Sequence, residues 1–354
     1  MKALITAGGR GTRLRPLTHT QNKHLLPIAN KPILHYALEK VAQAGVKEVG
    51  IITHQEGEEV KKAIGDGDLW GVKITYIPQD QPLGLAHAVR ISQDFIGDEP
   101  FIFYLGDNMV VGGLGKFIKA FEKEKSNCHL TLARVKDPER FGVPEIKGKR
   151  IVSIEEKPSA PKSEYAVAGI YIYDSTIFEA VHNIEPSARG ELEISDAHQY
   201  LIDHGYQISY SEITGWWKDT GKPNDILEAN RLILEHTKAK NNGLIDHRSL
   251  VTGNVVLEKG AKIVNSTVRG PAIIGRHTLI ENSYVGPFTS IGDDCKIFNS
   301  EVEFSIVLNE CEILDVGLRI EGSLLGTNAR VVRASGRPRS HRFMIGDQSL
   351  IEVS

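Results

Sequence analysis

The 354-residue sequence is poor in cysteine, with only Cys128, Cys295 and Cys311. An odd number without C-x-x-C spacing excludes a disulfide framework and suggests no structural zinc. No apolar run approaches the ~18 residues of a membrane helix. The chain opens on a strand running into a loop, not on a charged leader with a cleavage site, so a cytoplasmic protein is expected. A basic excess is also missing: the net charge of −3 argues against a general nucleic-acid binder. Three catalytic or phosphate-binding signatures are absent as well. There is no G-x-x-x-x-G-K-[ST], and G-x-G-x-x-G read from Gly9 meets Leu14 where its third glycine belongs. There is no G-x-S-x-G elbow and no cysteine with an obvious histidine partner. Without a nucleophile and base, chemistry has to rest on positioning and charge neutralisation.

What is present begins with Lys2 to Ala7, a short apolar run that feeds Gly8-Gly9-Arg10-Gly11-Thr12-Arg13-Leu14-Arg15-Pro16, with Lys23 soon after. A strand ending in such a loop lets backbone N–H groups converge on phosphate oxygens, and Arg13, Arg15 and Lys23 add charge to those bonds. Beyond it, strands at Val49–Thr53, Lys73–Ile77 and Phe101–Leu105 alternate with helices after Pro32, around Glu56–Ile64 and over Leu85–Asp94. This alternation predicts a mostly parallel, Rossmann-like α/β sheet with ligands beyond the carboxyl ends of its strands. A more strand-rich stretch follows from Leu130, and an amphipathic helix over Asn224–His236 closes the domain.

At this length two domains are expected. The reading is a catalytic domain over 1–238, a polar linker over 239–249 and an all-β domain with a tail over 250–354. In the last, Leu257, Ile263, Val268, Ile274, Ile280, Val285, Ile291, Ile297 and Val302 recur with a 17-residue period of three short strands. One inward aliphatic residue per strand describes a parallel β-helix of triangular section, with Gly275, Gly286 and Gly292 suited to its corners. The basic tail Arg337 to Arg342 reads as a surface segment or an interface.

Asp107, in Leu105-Gly106-Asp107-Asn108, and Asp219, in Trp217-Lys218-Asp219-Thr220-Gly221, each end an apolar stretch. Two carboxylates beside a triphosphate suit Mg²⁺, a hard ion that takes one or two carboxylates plus phosphate oxygens. Glu156, Lys157 and Arg189 form a charged set that could hold a phosphorylated sugar, or simply be solvated turns.

The order of these motifs resembles the sugar-1-phosphate nucleotidylyltransferases. Ala7 to Thr18, Lys23 to Pro27, Gln79 to Ala86, Tyr104 to Asn108, Asp137 to Val143, Glu155 to Pro158, Ala188 to Ile194 and Trp217 to Gly221 all match. Among them the chain is most similar to the glucose-1-phosphate thymidylyltransferases of the long form, which carry a left-handed β-helix. The resemblance implies Mg-dependent reaction of dTTP with glucose 1-phosphate, giving dTDP-glucose and pyrophosphate without a covalent intermediate, in deoxysugar pathways. It implies that Gly8, Gly9, Gly11, Thr12 and Arg13 hold the triphosphate and that Gln79 and Gly84 read the base. Asp107 and Asp219 would bind Mg²⁺, and Lys23 would neutralise phosphate charge. Gly142, Glu156 and Val167 would line the sugar site beside Asn108, with Lys157 and Arg189 on the sugar phosphate. Arg13, Lys23, Asp107 and Lys157 are then the catalytic set. His24 departs from the family's usual glutamine after that lysine.

Three alternatives stay open: UTP or another nucleotide in place of dTTP, an acetyltransferase in the β-helix with His277 as its base, and a non-catalytic sensor of sugar nucleotides. A homo-oligomer built through the β-helix is expected, because its end strands and flat faces need covering.

Overall fold

The computed structural model describes all residues except 10, 55–56, 335, 337–340, 342–344, 346 and 353–354. Arg10 of the glycine loop and Arg337, Arg339 and Arg342 of the basic tail therefore lie outside the described residues. In chain order the elements are β1 (Lys2–Thr6), β2 (Pro27–Ile28), β3 (Lys31–Pro32), α1 (Ile33–Gln43), β4 (Glu48–His54), α2 (Glu58–Ile64) and β5 (Lys73–Gln79). Then come α3 (Leu85–Arg90), α4 (Gln93–Ile96), β6 (Phe101–Leu105), β7 (Asn108–Val110), α5 (Gly115–Glu124), β8 (Cys128–Arg134), β9 (Gly142–Lys147) and β10 (Arg150–Glu156). They are followed by β11 (Tyr165–Tyr173), α6 (Ile177–Asn183), α7 (Ile194–Asp203), β12 (Ile208–Glu212), β13 (Trp217–Asp219) and α8 (Pro223–Glu235).

The chain divides into two compact units. The first holds Met1–Arg10 and Ile33–Asp219, and the second holds Gly11–Pro32 and Thr220–Ser354.

The first unit is built on a seven-stranded sheet in the order β12-β8-β11-β6-β1-β4-β5. The strands pair in parallel except that β11 runs antiparallel to both β6 and β8, so the sheet is mostly parallel and mixed. Its inner strands read as continuous apolar runs because both faces are covered: Phe101 to Tyr104 are fully buried. From β1 the chain runs outward through β4 on one side and returns to β6 on the other, so a crevice opens beyond the carboxyl ends of β1 and β6. Helix α1 follows Pro32 and turns Ile33, Leu34, Ala37, Leu38 and Val41 to the core, and Gly45 in the left-handed region ends it. The single helix expected over Leu85–Asp94 is broken into α3 and α4. There the Ser92 hydroxyl donates to the Ala88 carbonyl at 2.7 Å, one turn back.

In the second unit, three parallel sheets stack coil on coil, as in a left-handed β-helix. All nine inward residues of the 17-residue repeat are buried, from Leu257 to Val302. The coils start earlier than expected. Residues 239–249, read from their polarity as a linker, contain strands Lys240–Asn241 and Leu244–Ile245, paired with Val256–Leu257 and Lys262–Ile263 of the next coil. The corners also differ from expectation. Positive φ falls not on Gly275, Gly286 or Gly292 but on stacked Asn265, Asn282, Asn299 and Asp315, and on Gly260, His277 and Asp294. Asn and Asp tolerate that region, and Asn265 donates to Asn282 at 2.7 Å. The three glycines answer a packing constraint: a Cβ on Gly275 would stand 2.3 Å from the Gly292 backbone.

Two expectations about stability follow. Gly275→Ala should lower unfolding stability by about 1–3 kcal/mol in urea titration, whereas Gly317→Ala, with open space around it, should change nothing. Burial pulls the imidazoles of His129 and His198 down from 6.5 to about 4 and about 3. Both regain the ordinary value when unfolded. Their contribution is therefore whole above pH about 6.5 and is lost as pH falls toward the folded values. The urea midpoint should drop between pH 6.5 and about 4.5, and His198→Gln should drop less; equal slopes would contradict the assignment.

Candidate active site

The first cluster forms where β6 ends. The Gly106 N–H donates to the Thr6 carbonyl at 3.1 Å, joining the turn after β6 to the end of β1. The chain then reverses through Asp107 into β7, which pairs with β13 so that Asp219 lies opposite Asn108. Asp107 and Asp219 are thus brought onto adjacent positions of a two-stranded ribbon. Asn108 is 3% exposed. Its amide donates to Asp107 Oδ1 at 2.9 Å, and its carbonyl oxygen accepts from Gly169 N at 3.1 Å and Trp217 Nε1 at 2.8 Å. Asn108, expected in the sugar-phosphate site, has a buried side chain that donates to Asp107. Gly169 has to lack a side chain, because a Cβ would come within 2.8 Å of the Asn108 carboxamide carbon.

The second cluster lies on the β9–β10 hairpin and the loop before α7. Gly142 pairs with Glu156 across the hairpin, and Lys157 donates its N–H to the Phe141 carbonyl at 2.9 Å. Glu156 accepts from Ser195 Oγ at 2.7 Å and stands 3.4 Å from Lys157 Nζ and 3.5 Å from Arg189 Nη2. Arg189 is anchored more firmly by Glu193 at 2.7 Å, which also accepts from Ser187. A Cβ on Gly142 would meet Ser195 Oγ at 2.6 Å, so the glycine leaves room for the Ser195–Glu156 bond. Ser187, Glu193 and Ser195 were not singled out in the sequence. The signals for Glu193 were its place within the matched run Ala188 to Ile194 and its spacing four residues after Arg189. Val167 is buried on β11, where the register with β8 shifts between Val167 and Tyr171.

These two clusters meet electrostatically at Tyr171. Its hydroxyl is driven far above the usual phenol range, first by burial and then by negative charge on Glu156, Cys128, Asp107 and Asp219. The neighbouring Asp196 carboxyl is raised by burial and by Glu193 and Glu156, with Arg189 opposing. The first unit thus collects a carboxylate-rich patch, whose exposed rim carries Lys157 and Arg189.

Gln79, at the end of β5, donates to the Gly84 carbonyl at 3.2 Å and faces His87 Nδ1 at 3.0 Å. Gly84 has φ 101°, and a Cβ there would stand 2.4 Å from the Leu192 carbonyl oxygen, so both its conformation and its packing require glycine. The same loop is pinned by Leu192 N–H donating to the Leu83 carbonyl at 2.7 Å. Gly8 follows β1, and a Cβ on it would meet His54 N at 3.2 Å.

Gly11, Thr12, Arg13 and Lys23 lie in the second unit, in a segment of three short 3₁₀ turns, Thr12–Leu14, Leu17–His19 and Lys23–Leu25. Gly11 has φ 59°, and its carbonyl accepts from Thr18 Oγ1 at 2.6 Å. Gly11 approaches Lys23 closely: a Cβ would stand 2.9 Å from that of Lys23. Thr12 and Arg13 are exposed. His24 is 2% exposed, and its N–H and Nδ1 both engage Asn22 Oδ1. It is packed inside the segment and is not displayed on its surface. His277, weighed as an acyl-transfer base, stands exposed at a β-helix corner with its Nδ1 over Gly260. All three cysteines are buried. Burial pushes the Cys128 thiol well above its ordinary value.

Residues 2–236 match the nucleotidyl transferase family. A glucose-1-phosphate thymidylyltransferase of Streptomyces griseus is 50% identical over all of both chains. One of Streptomyces antibioticus is 49% identical over all of this chain and 99% of its own. A solved Bacillus anthracis structure, described as a glucose-1-phosphate thymidylyltransferase in complex with a sucrose, is 40% identical with a TM-score of 0.64. It covers 68% of this chain and 98% of its own. With the mixed nucleotidyltransferase sheet, the β-helix and these full-length likenesses together, the chain belongs to the nucleotidyl transferase family, as a long-form glucose-1-phosphate thymidylyltransferase.

Proposed function

We propose that this chain joins dTTP to glucose 1-phosphate in one in-line displacement, forming dTDP-glucose and pyrophosphate as the entry to deoxysugar synthesis. The observation that carries the reading is the β7–β13 ribbon, which sets Asp219 opposite Asn108, the residue after Asp107, with Asp107, Asp219 and Glu156 all acting on Tyr171. Among the described residues no group of three or more His, Cys, Asp or Glu side chains could hold a metal. Two carboxylates alone suit an ion that completes its shell with water and phosphate oxygens, and Mg²⁺ fits that donor set. Bound there, Mg²⁺ would neutralise charge on the phosphates.

The remaining work falls to this chain's own residues. Gly8, Gly9, Gly11 and Thr12 offer N–H groups to the triphosphate, Arg13 and Lys23 offset its charge, and Gln79 and Gly84 face the base. Gly142, Glu156 and Val167 take the hexose, with Glu156 accepting from its hydroxyls. Lys157 and Arg189 hold the sugar phosphate so that its oxygen lines up with the α-phosphorus. Lys157 leans on Glu156 at 3.4 Å in a partly exposed pair. An incoming phosphate exchanges that weak pairing for a stronger charge-assisted one. Residues 1–238 carry this catalysis, and the β-helix domain, expected over 250–354, takes in the strands from Lys240 onward. The first coil exposes Leu244 and Leu250, and assembly of a homo-oligomer would cover them. The reading is of a cytoplasmic enzyme. No helix among the described residues is long and apolar enough to cross a membrane.

A matrix of dTTP, UTP and GTP against several hexose 1-phosphates, read by pyrophosphate release with Mg²⁺, tests the reading. Release should be fastest with dTTP and glucose 1-phosphate, and UTP should trail by only about 10–200-fold, since one methyl group separates the bases. No release from any pair overturns it. Within that assay Arg13→Ala should weaken use of dTTP by about 10–100-fold and leave the KM for glucose 1-phosphate nearly unchanged. Lys157→Ala should show the reverse.

A further inference from the structure

The second unit joins two stretches that are far apart in sequence. Segment Gly11–Pro32 carries Arg13 and Lys23, and it folds with α8 and the β-helix. At the end of this segment, β2 and β3 form a hairpin whose two turn residues, Ala29 and Asn30, have φ of 49° and 57°. A two-residue turn with both φ positive ordinarily takes Asn-Gly or Asp-Gly. Ala29 lacks the freedom of glycine at the first position, so the surroundings have to hold it there.

Asn230 of α8 does so. Its side chain is fully buried, and its Oδ1 accepts from Ala29 N at 2.9 Å and from Ser290 Oγ at 2.7 Å. Its Nδ2 donates to the Phe288 carbonyl at 3.0 Å, on the same β-helix coil as Ser290. One amide therefore ties the hairpin, α8 and the β-helix together. A second tie runs beside it: Asn30 Nδ2 donates to the Ile291 carbonyl at 2.7 Å. Further along, Leu17 and Leu26 line a narrow apolar cleft with Ile306, Leu308, Leu324 and Leu325 of the last coils. Gly326 passes so near Leu17 that a Cβ would stand 3.3 Å from it.

We infer that the β-helix is the platform on which the triphosphate-binding segment is built, and that Asn230 is a positioning residue for nucleotide binding. The inference rests on the assignment of Arg13 and Lys23 to the triphosphate. Asn230 is fully buried, and it acts through Ala29 and the hairpin that begins four residues after Lys23. The polar ties fix one end of the segment and the leucines fix its middle, so the short 3₁₀ turns between them hold their shape without an α-helix.

The test uses the full chain. Equilibrium binding of dTTP with Mg²⁺, and the KM for glucose 1-phosphate at saturating dTTP, are measured for wild type, Asn230→Ala and Asn30→Ala. Asn230→Ala should weaken dTTP binding about tenfold and Asn30→Ala about three- to tenfold, while the KM for glucose 1-phosphate stays within about twofold. If Asn230→Ala does not fold, Asn30→Ala, which gives up the bond to Ile291 and strains the turn at φ 57° without touching Asn230, decides. Unchanged dTTP binding in the folded variants overturns the inference, as does an equal loss for both substrates. A wild type that releases no pyrophosphate from any substrate pair instead overturns the assignment beneath it.

Discussion

One buried carboxamide organises the charged patch of the first unit. Asn108 reaches Asp107 with its N–H, and it accepts from the β11 backbone at Gly169 and from the Trp217 indole of β13. The Tyr104 hydroxyl donates to its main-chain carbonyl at 3.1 Å. An amide so placed has little freedom to rotate, and breaking any of these bonds would strand a polar group out of water. The central sheet, the β7–β13 ribbon and the first carboxylate are thereby locked into one arrangement. Asp219 follows because β13 pairs with β7 in the register that sets it opposite Asn108.

From that arrangement the character of the chemistry follows. Carboxylates gathered in one patch repel, and at Tyr171 burial first and then their negative charge raise the phenol above its ordinary range. Such a site gains most from a cation and from ligands that bring cations with them. The positive groups sit at its rim, each paired with a carboxylate: Lys157 with Glu156, and Arg189 with Glu156 and Glu193. Arg189 is held rigidly by a nearly buried glutamate, whereas Lys157 is free to exchange partners. All three cysteines are buried. Positioning and electrostatics are what such a patch offers to two phosphorylated substrates.

Much of this was legible in the sequence, for identifiable reasons. Inner strands such as Phe101–Leu105 are unbroken apolar runs, and the β-helix advertises itself because every inward position is aliphatic at fixed spacing. Asp107 and Asp219 stood out because each ends such a run. The first β-helix coil did not, since Leu244 and Ile245 have no preceding coil to pack against and lie exposed among polar residues. The corner glycines were assigned the wrong cause, because spacing cannot distinguish a need for positive φ from a need for close approach. The structural roles of Asn108, Ser195 and Asn230 were invisible for a related reason. Each depends on partners many residues away, and an isolated Asn or Ser carries no signal of burial. The association of Gly11–Pro32 with the C-terminal coils is likewise a long-range fact, expressed in scattered leucines and one amide.

The central claim is that Asp107 and Asp219 together hold the divalent ion that accompanies the nucleotide. Titrating Mn²⁺ into wild type, Asp107→Asn and Asp219→Asn in the presence of dTTP, followed by the spin-resonance signal of free ion, addresses it directly. The account predicts a nucleotide-dependent site in wild type that weakens more than about tenfold in each variant. Equal Mn²⁺ affinity in all three proteins would contradict it.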